Sequence, residues 1–198
     1  MKRFAFALCF FSVLVFSVNA QENSVPDEEP EVQETYKYEI NGRGDQFIKI
    51  AIMPSFPLNF GDQMKIGGAA ELCYYRFLNS WLALGGELMA GYNLTKGSNI
   101  FTYVPISFGV MFQPSVWKIE FPVTLSLGTA FETCQNKKYF PGLSFKADLG
   151  AFFRMSETWS FGLGGKLVML PEWYTKTENA KPDQVLYMQI SASARYHF

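Results

Sequence analysis

The stretch "LSFKADLGAFFRM" limits the folds open to this chain more than any other. Leu143, Phe145, Ala147, Leu149, Ala151, Phe153 and Met155 fall on one parity, and Ser144, Lys146, Asp148, Gly150 and Arg154 on the other, with Phe152 the one intruder. Successive side chains of a strand point to opposite faces, so an alternation this long predicts a strand with one apolar and one polar face. The pattern recurs in "WKIEFPVTLSLGTAF", where Trp117, Ile119, Phe121, Val123, Leu125 and Leu127 oppose Lys118, Glu120, Thr124, Ser126 and Gly128. In "WSFGLGGKLVM" it sets Trp159, Phe161, Leu163, Leu167 and Met169 against Ser160, Gly162, Gly164 and Lys166. A last strand opposes Leu186, Met188, Ile190, Ala192, Ala194, Tyr196 and Phe198 to Tyr187, Gln189, Ser191, Ser193, Arg195 and His197. Weaker patterns place strands near 46–54, 64–77, 81–92 and 100–112, which makes eight.

Eight alternating strands suit two closed architectures. A lipocalin-like barrel keeps its apolar face inside, and a membrane barrel reverses this. Size decides between them. An eight-stranded barrel is only just wide enough to be filled by side chains, and the apolar parity is crowded with Phe, Leu, Ile and Trp while the other is mostly Gly, Ala and Ser with single charges. The charges are therefore expected inside and the bulky face in lipid. Tight links around Asn79, Pro114 and Glu157 alternate with the longer "PSFPLNFGDQ", "NLTKGSN", "CQNKKYFP" and "PEWYTKTENAKPD", the short-long order of periplasmic turns and extracellular loops. Trp81, Trp117 and Trp159 lie just past the tight links and are expected to form a periplasmic aromatic girdle, with Phe101, Tyr103, Phe140 and Trp173 on the other rim. The fold expected is an all-β, eight-stranded antiparallel up-and-down transmembrane barrel over residues 45–198, in the bacterial outer membrane. Its last strand must pair with its first to leave no edge in lipid, so a chain that stops within a strand, on Phe198, loses nothing.

The N-terminus fits that destination. Two cations, an apolar run from Phe4 to Val18 and the small-residue site Val18-Asn19-Ala20 predict a secretory signal peptide over residues 1–20. Residues 21–44 begin "QENSVPDEEPEVQE", too acidic and too poor in apolar side chains to offset ordering entropy, and are expected to be a flexible periplasmic tether. Losing Lys2 and Arg3 lowers the 17 basic residues by two against 18 acidic ones, so charge offers no case for nucleic acid.

Within this frame "ARYHF", with Tyr196 and Phe198, resembles the C-terminal signature of outer-membrane barrels, and the chain after residue 45 resembles eight-stranded proteins of the OmpX, OmpA-barrel and OmpW kind. The resemblance implies that the barrel-assembly machinery reads Tyr196 and Phe198 and that outer-membrane lipids are partners. Enzymes of this architecture, such as PagP and PagL, need a histidine near the outer leaflet. The single histidine, His197, is next to the periplasmic terminus, so no catalytic residue and no enzyme activity are expected. One histidine and two mature cysteines offer no metal-ligand spacing, so no metal or cofactor is expected. Cys73 and Cys134 should lie about 25 Å apart along the axis, far beyond disulfide reach, and remain free thiols.

The lumen carries the remaining candidates. Glu71 is expected opposite Glu87 and Asp148 opposite Lys166 near mid-barrel, above a lower tier of Lys118, Glu120 and Arg154, with Glu120 opposite Arg154. Two facing glutamates repel, so one is protonated or a cation reaches them, Lys49 and Lys146 being candidates. The set is either a satisfied polar plug or, as resemblance to the OmpA barrel implies, a salt-bridge gate for small ions. Pro105 and Pro122 are expected to face each other in the outer half of their strands and to weaken a seam, since proline removes a ladder donor. In PagP similar prolines flank a lateral acyl route, and the OmpW resemblance implies sideways passage of hydrophobic solutes. The function expected is passive transport of small hydrophobic molecules. The alternatives are a surface adhesin, whose outer loops "NFGDQ", "CQNKKYF" and "EWYTKTENAKPD" mix aromatics with charges and meet host surface molecules, and a purely structural barrel.

Overall fold

The computed structural model describes residues 41–59, 64–134, 137–171 and 184–198. The expected signal peptide and the tether up to residue 40 lie outside these residues. Ten strands follow in order: β1 (Gln46–Pro57), β2 (Gly67–Phe77), β3 (Leu82–Leu94), β4 (Ile100–Phe112), the two-residue β5 (Ser115–Val116) and β6 (Ile119–Glu120), β7 (Val123–Cys134), β8 (Lys137–Arg154), β9 (Trp159–Pro171) and β10 (Gln184–His197). Every neighbouring pair is antiparallel, and β1 pairs with β10, so the eight long strands close into a barrel without an edge.

Alternation decides which way each side chain looks. Leu125 and Leu163 are 65% and 68% exposed on the outer wall, whereas Glu71 and Lys166 are 3% and 2% exposed in the lumen. The greasy parity therefore faces lipid and the charges are enclosed. Phe152, the intruder in its strand, is buried, with the Arg195 guanidinium 3.5 Å from its ring centre.

The interior is narrow enough that strands touch through glycine. A side chain at Gly109 would begin 2.2 Å from the Tyr75 hydroxyl, so the glycine is what lets that ring cross the lumen.

Four expectations need correction. The turn between β4 and β7 is centred on Trp117 and Lys118, with Trp117 at a φ of 56°, rather than on Pro114. Three residues of displacement move Lys118 out of the lumen: it is exposed, with its ammonium 5.7 Å from the Trp117 ring centre. Phe101 and Tyr103 are 4% and 0% exposed and point into the lumen, not to the outer rim. The outer links are not uniformly long, since β8 begins at Lys137, just after β7 ends at Cys134. The two strands keep pairing there, Glu132 with Tyr139 and Cys134 with Lys137, and Phe140 stacks on Phe131 at 4.2 Å. Trp173 lies outside the described residues.

The end of the expected tether is also built into the barrel. Asn41 is buried, and its Oδ1 accepts a bond from Arg154 Nη2 at 2.7 Å. The Gly44 amide donates to the Phe77 carbonyl at 2.9 Å, and the Phe77 amide donates to the Asp45 carbonyl at 2.8 Å. An arginine held inside the mouth needs several acceptors, and the segment before β1 supplies one.

Candidate functional site

The lumen is stacked in three parts. Toward the periplasmic turns, Arg154 donates from Nε and Nη2 to Glu120 Oε1 at 3.0 and 2.6 Å. Arg195 Nη1 donates to Glu120 Oε2 at 3.2 Å and to Gln113 Oε1 at 2.7 Å. Glu120 pairs across strands with Phe152, one alternation from Arg154, and the arginine fork makes up the difference. Beside this tier pack Phe47, Cys73, Tyr75, Phe77, Ala83 and Met111. His197 is buried here, with Nε2 2.9 Å from Ser160 Oγ.

At mid-barrel, Asp148 pairs with Lys166 across β8 and β9. Glu71 pairs with Met89, and Glu87 with Cys73, so the two glutamates are diagonal neighbours rather than directly opposite. The offset leaves room for cations. Lys146 Nζ lies 2.5 Å from Glu87 Oε2 and 3.4 Å from Glu71 Oε1. Lys49 Nζ lies 3.4 Å from Glu71 Oε2 and 3.0 Å from Asp148 Oδ2. Lys166 Nζ bonds Glu71 Oε1 and stands 3.3 Å from Asp148 Oδ2. Three lysines thus meet three acids, and Glu71 touches all three lysines. Tyr75 closes the set by donating to Glu87 Oε1 at 2.5 Å. Glu71, Cys73 and Glu87 offer ligand atoms within 4.8 Å of one another, but the ammonium groups already occupy the space and the charge balance a cation would need. Both Cys73 and Cys134 are free.

Outward of the charge tier the lumen becomes mainly apolar, with Glu132, which pairs across strands with Tyr103, buried among the apolar side chains. Met53, Met89, Phe101, Tyr103, Ala130, Val168, Leu170, Val185 and Tyr187 form one buried cluster. Tyr103 and Tyr187 stack at 4.9 Å. The Tyr103 hydroxyl is held by Gln189 Nε2 at 2.9 Å and lies 3.0 Å from Ser55 Oγ. The signal was present in the parity of β9, where Val168 and Leu170 share the face of Lys166.

The prolines are not where the expected seam required them. Pro105 pairs with Ala130, while Pro122 lies next to Val123, which pairs with Phe112, so several residues of strand separate the two. Pro105 instead breaks the β3–β4 ladder, from which Met89 and Ala90 drop out. A second break lies in the closing seam. Met53 and Pro54 have no partner in the β1–β10 register, although it continues unshifted on both sides. Gln46 and Phe198 exchange backbone bonds at 3.2 and 3.0 Å, and Leu58 donates to Leu186 at 2.8 Å. Bonded pairs alternate in an antiparallel ladder, which puts Pro54 opposite Ile190 at a bonded position, where it has no N–H to give. Outside this gap a groove of about 690 Å³ runs along the barrel wall, bounded by Ile52, Ala70, Tyr92, Leu163, Ile190 and Ala192.

Around the rims, Trp81 packs on Phe112 at 5.3 Å and Trp159 on Tyr196 at 5.2 Å, both outward. Trp117 lies 6.2 Å from Phe153. Tyr196 and Phe198 face outward on the last strand, 6.1 Å apart.

A closed ring of eight strands, a lipid-facing apolar wall and an enclosed charge tier define the class: an eight-stranded transmembrane β-barrel of the bacterial outer-membrane type. A protein-family model matches residues 27–196, and the chain belongs to the family it describes. An uncharacterized protein of Treponema pallidum (strain Nichols) is 26% identical over 212 residues, covering 97% of this chain and 94% of that relative. A second from the same organism is 23% identical over 147 residues and covers 65% of this chain, which spans about half of that relative's length (48%). Among solved structures, Neisserial surface protein A is 10% identical and superposes with a TM-score of 0.62 over 79% of this chain and 100% of its own. OprG of Pseudomonas aeruginosa is 9% identical, with a TM-score of 0.55 over 80% and 97%. Ail of Yersinia pestis is 16% identical, with a TM-score of 0.51 over 79% and 99%. At such identities the likeness is one of fold.

Proposed function

We propose that the barrel passes small hydrophobic solutes from the outside into the outer membrane, sideways rather than straight through. The observation that carries this reading is the division of the lumen: a mainly apolar outer half, in which Glu132 is the one buried acid among the described residues, above a charge tier whose acids are met by lysines. A solute that leaves water for the outer half gains by burial. Further descent would require breaking the buried ion pairs of Glu71, Glu87 and Asp148, at high cost. The side exit is the Pro54 gap, where Met53 stands inside the wall and the groove outside. Methionine side chains are unbranched and adaptable, so Met53 and Met89 can rearrange around a passing molecule without backbone movement.

Two measurements test the reading. Replacing Pro54 with Val restores an N–H facing the Ile190 carbonyl. One added hydrogen bond, about 1 kcal/mol, should reduce opening of the seam about fivefold. Uptake of N-phenyl-1-naphthylamine by cells carrying the barrel in the outer membrane should fall by that factor, with barrel levels unchanged. Uptake equal to that of the unmodified protein removes the route. Liposomes containing the barrel should also swell in arabinose no faster than empty ones, because Arg195, Tyr75, Tyr103, Tyr187 and Lys166 fill the lumen. Rapid swelling would show an open pore and overturn the closed tier.

A further inference from the structure

We infer that the outer rim carries an entry site for anionic single-chain amphiphiles, a class that deepens and rests on the sideways route proposed above. A cavity of about 540 Å³ opens beside the outer end of β1, lined by Phe56, Pro57, Met64 and Ile66 with Lys65 and Lys96.

Three features say what fits it. First, the lining is amphiphilic in a fixed sense: apolar side chains form the body, and the polar groups are cations. Lys65 and Lys96 are both exposed, and neither has a carboxylate partner among the described residues. An ammonium group that meets no carboxylate among the described residues, beside an apolar hollow, complements an anionic head joined to a hydrocarbon tail. Second, the backbone that carries Lys65 is anchored, and the residue before Lys96 is tied to it. The Lys65 amide donates to the Leu94 carbonyl at 2.7 Å, the Lys65 carbonyl accepts from Asn93 Nδ2 at 3.0 Å, and Met64 bridges to Thr95 next to Lys96.

Third, the cavity adjoins the apolar half of the lumen. Met64 lines it on one side and on the other packs against the buried cluster, with the Tyr187 hydroxyl 3.5 Å from its Sδ. Met64 is thus the partition between the cavity and the path beyond. With its head on Lys65 and Lys96, a tail long enough to displace the Met64 thioether enters the compartment of Tyr187, Met89 and Met53. Neutral solutes of the same length lack the first hold. The site therefore selects carboxylates of the fatty-acid type from the outer medium and releases the tail toward the Pro54 gap.

The test uses the full barrel in phosphatidylcholine nanodiscs, titrated calorimetrically with sodium dodecanoate and with dodecanol. Dodecanoate should bind more tightly than dodecanol, and the double substitution Lys65→Gln, Lys96→Gln should weaken dodecanoate about tenfold while leaving dodecanol unchanged. Substituting Met64→Trp should reduce dodecanoate binding with both lysines intact. Equal affinity for acid and alcohol, or a lysine double variant that binds dodecanoate as before, overturns the site. Dodecanoate heat no greater than that of empty phosphatidylcholine nanodiscs overturns it as well. Uptake through Pro54 is read separately: a dye route that closes in P54V while dodecanoate ignores the lysines sinks this site alone. The reverse result sinks only the route.

Discussion

Replacing Glu71 with alanine should lower the unfolding free energy by about 3–5 kcal/mol, the usual cost of removing one member of a buried ion-pair set. Glu71 is where the lysines converge: Lys49 and Lys146 each lie 3.4 Å from one of its oxygens, and Lys166 bonds to it directly. Without it, three enclosed ammonium groups face Glu87 and Asp148, and one positive charge has no counterpart. Glu87→Ala should cost less, because among the lysines it has only Lys146 within ion-pair distance, and Lys146 retains Glu71. The double substitution Glu71→Ala, Lys166→Ala should recover part of the loss, since it restores the balance of charge. Urea unfolding in lipid vesicles, followed by tryptophan fluorescence, measures all three. A Glu71→Ala barrel within 1 kcal/mol of the parent would mean that water, not protein, solvates the tier.

The second large effect is steric. Gly85→Val should cost about 3 kcal/mol or prevent folding, whereas Gly86→Val, one residue along the same strand, should stay within about 0.5 kcal/mol. A Cβ at Gly85 would start 2.1 Å from the Tyr74 carbonyl oxygen and 2.6 Å from the Tyr75 ring. The carbonyl belongs to the β2–β3 ladder and cannot retreat without breaking it. Moving Tyr75 would also undo its 2.5 Å bond to Glu87. At Gly86 nothing lies within 4 Å, because that position looks into lipid. Cold and heated gel mobility separates folded from unfolded barrel. Equal behaviour of the two variants would refute the claim that the lumen is packed to contact.

The outward half of this molecule could be read from its sequence because a lipid-facing wall has one simple requirement. Leu125, Leu163, Ile190 and their parity partners are apolar for the same reason everywhere on the wall, so period two betrays them. The lumen has no such uniform requirement. Lys166, Val168 and Leu170 share one face and serve charge, packing and packing in turn. In β4, Phe101 and Tyr103 face inward while Ile100, Val104 and Ile106 face outward, so the strand is apolar on both sides and the alternation loses its amplitude. Side-chain size suggested that bulky rings belonged outside, and the glycines that admit Tyr75 and Tyr103 to the interior reverse this locally.

Register was the other limit. Counting from Pro114 rather than from the Trp117–Lys118 turn displaced one hairpin by a few residues. That was enough to put Lys118 inside and to set Pro122 beside Pro105. Proline's missing N–H was the right kind of signal, but the residue that interrupts the closing seam is Pro54, whose partner strand lies at the far end of the chain. No local pattern reveals that pairing. Only the even spacing of bonded pairs from Gln46 and Phe198 does.

The order in which the charge tier is delivered has a consequence for how the molecule completes itself. The first three strands bring Lys49, Glu71 and Glu87, one cation against two anions, and the two strands before the last bring Lys146, Asp148 and Lys166, two cations against one anion. Either group alone would strand a net charge at bilayer depth, where it is expensive. A half-built sheet is thereby penalised twice, once for its open edges and once for its unmatched electrostatics. The charges of the two groups balance only when the ring is closed.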